Sequence, residues 1–328
     1  MKENGVASPL LAVQDLQTEF RTAGGAVQAV RGVSFTVERG ETVGIVGESG
    51  SGKSVTALSL MGLVPNPPGC IKGGSILLDG EELVRKPERE MSRLRGAKLA
   101  MVFQDPFSSL NPTMTLGEQV AEPLRLHKGV SRKEAREEAI RLLQAVRIPD
   151  PDARYRQYPH QVSGGQRQRI MIAIAFACNP DLLIADEPTT ALDVTVQAQV
   201  LALMQEMQAK ANAGVLLITH DLGVVAEVCD RVLVMYAGQI VESGSVMQIF
   251  HSPQHPYTQS LLKSLPQMDG ERGRKLASIP GQPPDLAHLP PGCPFFDRCP
   301  AHISGICDKS EPPPTSSQPG QTGRCHLY

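Results

Sequence analysis

The sequence lacks any long apolar run. Its longest, Ile170–Cys178, is far short of the roughly 20 residues that a transmembrane helix needs. The first residues, MKENGVASPL, also lack the apolar core of a secretory signal. We therefore expect a protein that stays in the cytoplasm and meets a membrane only through a partner.

The sequence also lacks a large net charge of either sign. The 32 Lys and Arg nearly balance the 34 Asp and Glu, so the formal net charge is −2. Binding to nucleic acid without regard to its sequence requires a basic surface, and we expect no nucleic-acid partner. With 41% hydrophobic and 20% charged residues among 328, the composition is that of a soluble globular protein with one large domain or two medium ones.

Cysteine is scarce in most of the chain and concentrated near its end. Cys70, Cys178 and Cys229 are scattered, as expected of small buried apolar residues. In a cytosolic chain, clustered cysteines indicate a metal site rather than a disulfide framework. The other four of the seven cysteines lie within the last 36 residues: Cys293, Cys299, Cys307 and Cys325.

Short apolar runs alternate with helical patterns through the body of the chain. Four runs are typical of buried strands: Val43–Val46, Leu99–Phe103, Leu182–Ala185 and Val215–Ile218. A helix is predicted between the last two, from about Val194 to Ala211. Such alternation implies a parallel sheet covered by helices, so the predicted fold class is α/β.

Two further regions differ from the rest of the chain in composition and periodicity. From about residue 104 to 180 the pattern is helical, and Ser131 with Glu134 has the spacing of a capping box. Past about residue 270 helical periodicity disappears, and eleven of the 49 residues from Pro280 onward are proline. Because such a segment cannot build its own apolar core, we expect either a disordered tail or a segment held by cross-links.

A glycine-rich segment between an apolar strand and an apolar helix matches the pattern GxxxxGK[ST]. Its glycines allow backbone N–H groups to turn inward around a polyphosphate, and the helix N-terminus adds partial positive charge. We expect Lys53 to reach the β- and γ-phosphates and Ser54 to bind Mg²⁺. The expected nucleotide contacts are Gly47, Ser49, Gly50, Ser51, Gly52, Lys53 and Ser54.

Two carboxylates follow the predicted strand Leu182–Ala185. Ligands bind at the C-terminal ends of the strands in parallel sheets. Asp186 is therefore expected to hold Mg²⁺, directly or through water, and Glu187 to accept a proton from the attacking water as general base. Together with the glycine-rich loop, this pair predicts a P-loop NTPase.

A third motif, with the letters VSGGQ from Val162, narrows the class. It precedes a predicted helix, Arg167–Cys178, so that a second anion site is expected at a helix N-terminus. The chain has a P-loop at residues 47–54, the SGGQ motif at 163–166 and the Asp186–Glu187 pair, in that order. This order resembles that of the ATPases of ABC transporters, in which SGGQ is called the signature motif, with Val162 here in place of the usual Leu. The resemblance implies that two subunits close head to tail on ATP, the signature of one facing the P-loop of the other. The signature residues are Ser163, Gly164, Gly165 and Gln166.

The resemblance also assigns roles to four residues outside these motifs. Gln104 matches the Q-loop glutamine, which senses the γ-phosphate and binds Mg²⁺, and Asp193 matches the D-loop aspartate at the dimer interface. His220 matches the switch histidine, which orients the attacking water. Phe20 stands where the family has an aromatic residue that stacks on adenine. The implied catalytic residues are Glu187, His220, Lys53 and Gln104.

Longer stretches resemble one group of these ATPases, the dipeptide, oligopeptide and nickel importers. They read FQDP from Phe103, SLNP from Ser109, DEPTTALDVTVQ from Asp186 and HPYT from His255. The stretch MIAIA at 171–175 and the second threonine of DEPTT are more similar to the D-type subunit of that group than to its F-type partner.

The fold that this resemblance implies has a RecA-like core, an antiparallel β subdomain, a helical signature subdomain and a Cys/Pro-rich C-terminal extension. The ATPase domain is expected at 8–265, with its helical subdomain at about 105–180. The extension is expected at 266–328.

The implied assembly consists of this D-type ATPase, an F-type ATPase, two integral-membrane permease subunits and an extracytoplasmic peptide-binding protein, at the cytoplasmic face of the inner membrane. The ATPase never touches the cargo, so its sequence does not specify which solute is carried. Nickel, glutathione or another small solute is the alternative to a peptide. A soluble ABC ATPase of DNA repair or translation is the alternative from another class. Only one cassette is present, and the gap of about 110 residues between P-loop and signature is too short for the coiled coil of the DNA-repair members.

The spacing of the four C-terminal cysteines lacks the C-x2–4-C knuckle that is typical of structural zinc. Four thiolates with wider gaps suit a [4Fe–4S] cluster, which the resemblance also implies for some relatives. The expected ligands are Cys293, Cys299, Cys307 and Cys325. A zinc site that uses His302 or His326, and a tail without metal, are the alternatives.

Overall fold

The computed structural model describes residues 8–190, 192–264 and 279–328. Its contacts divide the chain into two compact units. The first contains the described residues of 1–11, 36–41 and 77–218, and the second those of 12–35, 42–76 and 219–328. Each unit is therefore assembled from segments that are distant in the sequence.

The strands of the described residues alternate with helices over much of the chain. In chain order they are β1 (Leu11–Thr22), β2 (Gly25–Val37), β3 (Thr42–Val46), β4 (Gly69–Leu78), β5 (Glu81–Glu82), β6 (Leu99–Val102), β7 (Leu182–Asp186), β8 (Gly214–Ile218), β9 (Arg231–Tyr236), β10 (Gln239–Ser245), β11 (Thr315–Gln318) and β12 (Gln321–Gly323).

The α-helices are concentrated between β5 and β9. They are α1 (Lys53–Leu60), α2 (Glu88–Leu94), α3 (Pro106–Ser109), α4 (Leu116–Lys128), α5 (Arg132–Ala145), α6 (Pro151–Tyr155), α7 (Gly164–Phe176), α8 (Val194–Ala211), α9 (Leu222–Val228), α10 (Val246–His251) and α11 (Pro256–Lys263). Among the described residues, no helix is long and apolar enough to cross a bilayer.

In the first unit, β6, β7 and β8 lie side by side as parallel strands. Every residue of β7 and β8 is buried, which explains why both strands read as unbroken apolar runs. The three strands predicted here are confirmed with small changes at their ends. β6 ends at Val102 rather than Phe103, β7 extends to Asp186, and β8 begins at Gly214. Because the strands are parallel, their C-terminal ends lie at the same edge of the sheet.

Helices α4 to α7 belong to the same unit, and capping boxes begin two of them. At α5, Ser131 and Glu134 cap each other's backbone N–H as predicted. At α7, Ser163 and Gln166 do the same, so the helix begins at Gly164. It starts before the predicted Arg167, because the cap draws both signature glycines into the first turn.

In the second unit, β3 runs parallel to β9, and β9 is antiparallel to β10. The C-terminal segment extends this sheet, since β12 pairs antiparallel with β10 and β11 pairs with β12. Neither strand was predicted, because each is short and lies among prolines and glycines. In the first unit, the end of β4 pairs antiparallel with β5 through Leu77 with Glu82 and Leu78 with Glu81.

The proline-rich segment adds an aromatic residue to the core of the second unit. Phe295 is 1% exposed and packs with Tyr236 and Tyr257 in one buried cluster. Its ring centroid lies 5.3 Å from that of Tyr236 and 5.4 Å from that of Tyr257. The segment therefore needs no apolar core of its own, because it shares one that residues far upstream have built.

Candidate functional site

The glycine-rich loop connects β3 to α1 in the second unit. Gly52 has φ 105°, a left-handed conformation that side chains disfavour. A Cβ at Gly52 would collide with the Ala29 carbonyl oxygen, and one at Gly47 with the Met235 carbonyl oxygen. The loop is thus wrapped closely against its neighbours in a way that only glycine permits at these two positions.

The loop has the features of an anion site. No side chain caps α1, whose N-cap is Gly52, and the helix N-terminus carries partial positive charge. The Lys53 side chain is buried, and its Nζ donates to the carbonyl oxygens of Gly47 at 2.8 Å and of Glu48 at 2.9 Å. Ser51 Oγ is buried without a hydrogen-bond partner among the described residues.

A buried polar atom without a partner is costly and rare. The hydroxyl of Ser51 therefore indicates that the loop is complete only when it holds a ligand with acceptor oxygens. Ser49, Gly50 and Ser54 are exposed on the same loop. The contacts of these residues with the polyphosphate of a nucleotide stay a prediction.

The carboxylates after β7 belong to the first unit. Asp186 ends the strand and is 6% exposed. Glu187 follows with φ 47°, which is rare for a residue other than glycine and indicates strain of the kind found at functional sites. Its backbone N–H donates to the Ile218 carbonyl oxygen at 2.8 Å, which fixes the turn at the end of β7.

Two side chains hold the carboxylate of Glu187. Gln104 Nε2 donates to Glu187 Oε2 at 2.8 Å, and Thr190 Oγ1 donates to the same oxygen at 2.9 Å. The motifs did not predict these contacts. The sheet order accounts for the first, because Gln104 follows β6 and Glu187 follows β7, and these parallel neighbours end at the same edge.

The signature motif lies at the N-terminus of α7, also in the first unit. Ser163 is exposed, and its Oγ accepts from the Gln166 N–H at 3.4 Å. A Cβ at Gly164 would meet open space, whereas one at Gly165 would lie 2.9 Å from Val196 Cγ1. Gly165 therefore allows α8 to pack closely, and Gly164 leaves the helix N-terminus accessible.

The remaining predicted residues lie at the ends of elements. Asp193 is the N-cap of α8, where its Oδ1 accepts from the Val196 N–H at 3.0 Å. His220 is exposed, two residues after β8, and Phe20 is half-buried near the end of β1. Ala191 of the D-loop lies outside the described residues. The P-loop, Phe20 and His220 belong to the second unit, and the carboxylates, Gln104, the signature and Asp193 to the first.

The four C-terminal cysteines line one cavity in the second unit. Apolar and aromatic side chains form the rest of its wall, among them Phe295, Phe296 and Leu327. Burial, with a smaller contribution from the neighbouring thiols, raises the pKa of the Cys293 thiol to about 11, against the lowering effect of a hydrogen bond from the Phe295 backbone. Burial also raises the pKa of Cys299 and of Cys325. Four thiols drawn together in this way repel one another as thiolates unless a cation joins them.

Within the described ranges, no group of three or more His, Cys, Asp or Glu side chains is arranged to hold a single metal ion. A zinc ion draws its four ligands to one point, with each sulfur about 2.3 Å from the metal. The thiols around the cavity are not gathered in that manner. The four predicted ligands lie around one cavity, and the [4Fe–4S] cluster itself stays a prediction.

Two family models match the chain. The model of the ABC transporter family matches residues 30–190. The model described as the oligopeptide/dipeptide transporter C-terminal region matches residues 241–307, which includes three of the four clustered cysteines.

Curated relatives match almost the whole chain. The dipeptide transport ATP-binding protein DppD of Bacillus subtilis is 54% identical over 318 residues, 97% of this chain and 94% of the relative. The oligopeptide transport ATP-binding protein OppD of Salmonella typhimurium is 52% identical over 319 residues, with coverage of 97% and 94%.

Solved structures are similar over the larger part of the chain. A dimeric bacterial ABC transporter cassette has a TM-score of 0.65 at 27% identity, covering 72% of this chain and 98% of that one. The ABC transporter component cbiO1 of Clostridium perfringens has a TM-score of 0.63 at 26% identity, with coverage of 74% and 91%.

Proposed function

The chain belongs to the ATP-binding proteins of ABC transporters, and from this premise we propose that it hydrolyses ATP to power the import of dipeptides or oligopeptides. The names of its relatives specify dipeptide and oligopeptide transport, and this supports a peptide as the cargo. The observation that carries the hydrolytic role is the placement of Glu187, a strained residue at a strand end whose carboxylate is held by two side chains.

The P-loop would bind the phosphates of ATP. Lys53 would exchange its bonds to the loop carbonyl oxygens for bonds to the β- and γ-phosphates, and Ser51 would gain the partner that its hydroxyl lacks. Phe20 would stack on the adenine ring. The backbone N–H groups at the start of α1 add partial positive charge, so that the loop stabilises the charge that develops on the phosphates.

Glu187 would accept the proton of the attacking water. Gln104 and Thr190 orient its carboxylate before the substrate arrives, so less reorganisation is needed during the reaction. His220 would orient the attacking water. Ser54, Asp186 and Gln104 supply oxygen ligands of the kind that Mg²⁺ prefers, and the ion would neutralise phosphate charge.

The signature would act on the ATP of the opposite subunit. Ser163 and Gly164 present an accessible helix N-terminus, which suits a γ-phosphate, and Asp193 would lie at the interface. We propose a head-to-tail dimer with an F-type ATPase, docked on two permease subunits that a peptide-binding protein supplies. The chain would then lie at the cytoplasmic face of the inner membrane.

A reconstituted transporter tests this function. Proteoliposomes that contain the permeases, both ATPases and the binding protein are expected to take up labelled dipeptide only with ATP. Glu187→Gln is expected to lower kcat by at least about a hundredfold while ATP stays bound, because a general base is worth about 10²- to 10⁴-fold. The exposed Glu137, on α5, supplies the matched control Glu137→Gln, which should behave as the wild type.

Three results would contradict the proposal. Wild-type hydrolysis by Glu187→Gln would exclude the general base. Uptake of Ni²⁺ but not of dipeptide would change the cargo. Failure of the chain to purify with any membrane protein would favour a soluble ABC ATPase.

The four cysteines are further proposed to hold a [4Fe–4S] cluster through Cys293, Cys299, Cys307 and Cys325. The support is the thiol-lined cavity with its apolar wall. A cluster would supply the positive charge that lets four thiolates, three half-buried and one buried, lie around one cavity. Zinc, with His302 or His326 as a substitute ligand, is the alternative.

Metal analysis of anaerobically purified protein tests the cluster. We expect a brown protein with about four irons per chain, and Cys293→Ser should lose most of the iron. Cys178→Ser should keep it, since Cys178 is a half-buried thiol that does not line the cavity. A colourless protein that contains zinc would exclude the cluster.

A further inference from the structure

An acidic residue lies inside the phosphate loop. Glu48 follows Gly47 directly, and its carboxylate is paired with Arg298, which lies 250 positions later in the chain. Arg298 Nη1 donates to Glu48 Oε2 at 2.7 Å, and Nη2 donates to Oε1 at 2.9 Å. Two parallel charge-assisted bonds of this kind give the pair a defined geometry as well as strength.

The guanidinium of Arg298 is held from several directions. Its side chain is only 6% exposed. Nε donates to the Pro280 carbonyl oxygen at 2.9 Å, and Nη1 also donates to Tyr236 Oη at 3.2 Å. The guanidinium carbon lies 5.8 Å from the ring centroid of Tyr236 and 5.9 Å from that of Phe295, within cation–π range. The fold of the C-terminal segment therefore sets the position of this cation.

The backbone of Glu48 is tied to the same region. Its N–H donates to Tyr257 Oη at 2.9 Å, and the Tyr257 ring packs against Phe295. A concavity beside the loop is lined by loop residues 48–51 and also by Pro283, Pro284 and Leu286. The proline-rich segment thus borders the phosphate loop directly.

A bare carboxylate next to a polyphosphate would repel it, and such repulsion is strong where the site is partly buried. We propose that Arg298 is a positioning residue of the ATP site, which neutralises Glu48 and holds its carboxylate so that the C-terminal segment completes the phosphate loop of its own chain. The inference rests on the proposed function, in which residues 47–54 bind ATP. It assigns to the cysteine-rich segment a part in nucleotide binding that acts through Glu48, since Arg298 precedes Cys299.

This role is tested by measuring the affinity of the full chain for MgATP by calorimetry, at low and at high ionic strength. Arg298→Gln leaves Glu48 uncompensated and is expected to weaken binding about tenfold at low salt. Salt screens charge repulsion, so the defect should shrink as ionic strength rises. Adding Glu48→Gln to Arg298→Gln removes the repelling charge and should restore the affinity to within about threefold of the wild type.

Two further variants separate charge from general loosening of the segment. Arg298→Lys keeps the positive charge without the two-pronged geometry and should bind MgATP more tightly than Arg298→Gln. Glu311→Gln breaks another ion pair of the C-terminal segment, that with Arg31, and should leave affinity unchanged. Thermal melting of every variant reports whether it is folded.

The outcomes are distinct. The role is wrong if Arg298→Gln binds like the wild type, if the double variant stays as weak as Arg298→Gln, or if the defect is insensitive to salt. If Arg298→Gln fails to fold, the double variant and Arg298→Lys still decide, because the role requires both to bind within about threefold of the wild type. Unimpaired binding by Lys53→Ala would instead overturn the assignment of the loop as the ATP site.

Discussion

Glu187 combines a backbone conformation that most residues avoid with a carboxylate that two side chains fix. A strained backbone conformation persists only where surrounding contacts hold it in place. Here the contacts are the hydrogen bond from the Glu187 N–H to Ile218 and the side-chain bonds from Gln104 and Thr190. At the scale of single residues, the proposed general base is therefore oriented in advance by residues that the protein keeps in place without substrate.

Thr190 allows this orientation to be tested apart from the base itself. Thr190→Val removes the hydroxyl that donates to Glu187 Oε2 and should lower kcat of the assembled transporter about fivefold with little change in KM, since a less well-placed base transfers the proton less efficiently. Thr190→Ser keeps the hydroxyl and is the matched control. Equal kcat for Thr190→Val and the wild type would show that Gln104 alone suffices.

At the scale of elements, α5 and α7 begin with the same capping box, but only α7 begins with glycines that leave its N-terminus accessible. Local sequence therefore forms both helix starts in the same way. What distinguishes α7 is the proposed place of its N-terminus opposite another subunit's ATP.

Ser163→Asp separates the cap from the phosphate site. Aspartate caps helices about as well as serine, so the unfolding free energy should stay within about 0.5 kcal/mol of the wild type. The new carboxylate should repel the γ-phosphate and abolish hydrolysis at the partner's site. Ser131→Asp on α5 makes the same change away from the site and should hydrolyse ATP normally, as measured in the assembled dimer. Normal hydrolysis by Ser163→Asp would contradict the phosphate contact.

At the scale of the whole molecule, a buried carboxylate ties the end of the chain to the sheet of the second unit. Glu242, which is 1% exposed, accepts from the N–H groups of Gln254 at 2.7 Å and His255 at 3.0 Å, and from Gln321 Nε2 at 2.9 Å. These bonds offset the cost of burying its charge, and they join β10, the start of α11 and β12.

His255 makes this region sensitive to acid. Burial lowers its pKa to about 4, partly opposed by a hydrogen bond to the Arg324 backbone. The unfolded chain takes up a proton at this residue below its ordinary pKa of about 6.5, whereas the folded chain does so only near 4. The stability that the neutral imidazole contributes is therefore complete above about 6.5 and lost as pH falls toward 4, by about 3 kcal/mol in total.

Urea unfolding between about pH 7 and about pH 5 measures this loss. The free energy of unfolding should fall less steeply with pH in His255→Asn than in the wild type, because the asparagine side chain does not titrate. The exposed His251 supplies the control, and His251→Asn should keep the wild-type slope. Identical slopes in all three proteins would show that His255 is not the titrating group.

The sequence by itself predicted the chemistry and determined the local elements. The P-loop, the Asp186–Glu187 pair and the signature are short patterns whose residues must be adjacent, and each buried strand of the parallel sheet leaves an apolar run. For that reason β7, β8 and α8 lie where the sequence predicted them. The resemblance to the family was carried by the same motifs and their order.

Only the tertiary structure decided which distant residues meet. Gln104 reaches Glu187 across 83 positions and Arg298 reaches Glu48 across 250, and a single pair of that kind leaves no periodic signal in a sequence. The C-terminal segment looked unable to fold because its own composition supplies no core. Its residues 279–328 pack against the rest of the second unit because β10, Tyr236 and Tyr257 provide the strand edge and the apolar surface that the segment lacks.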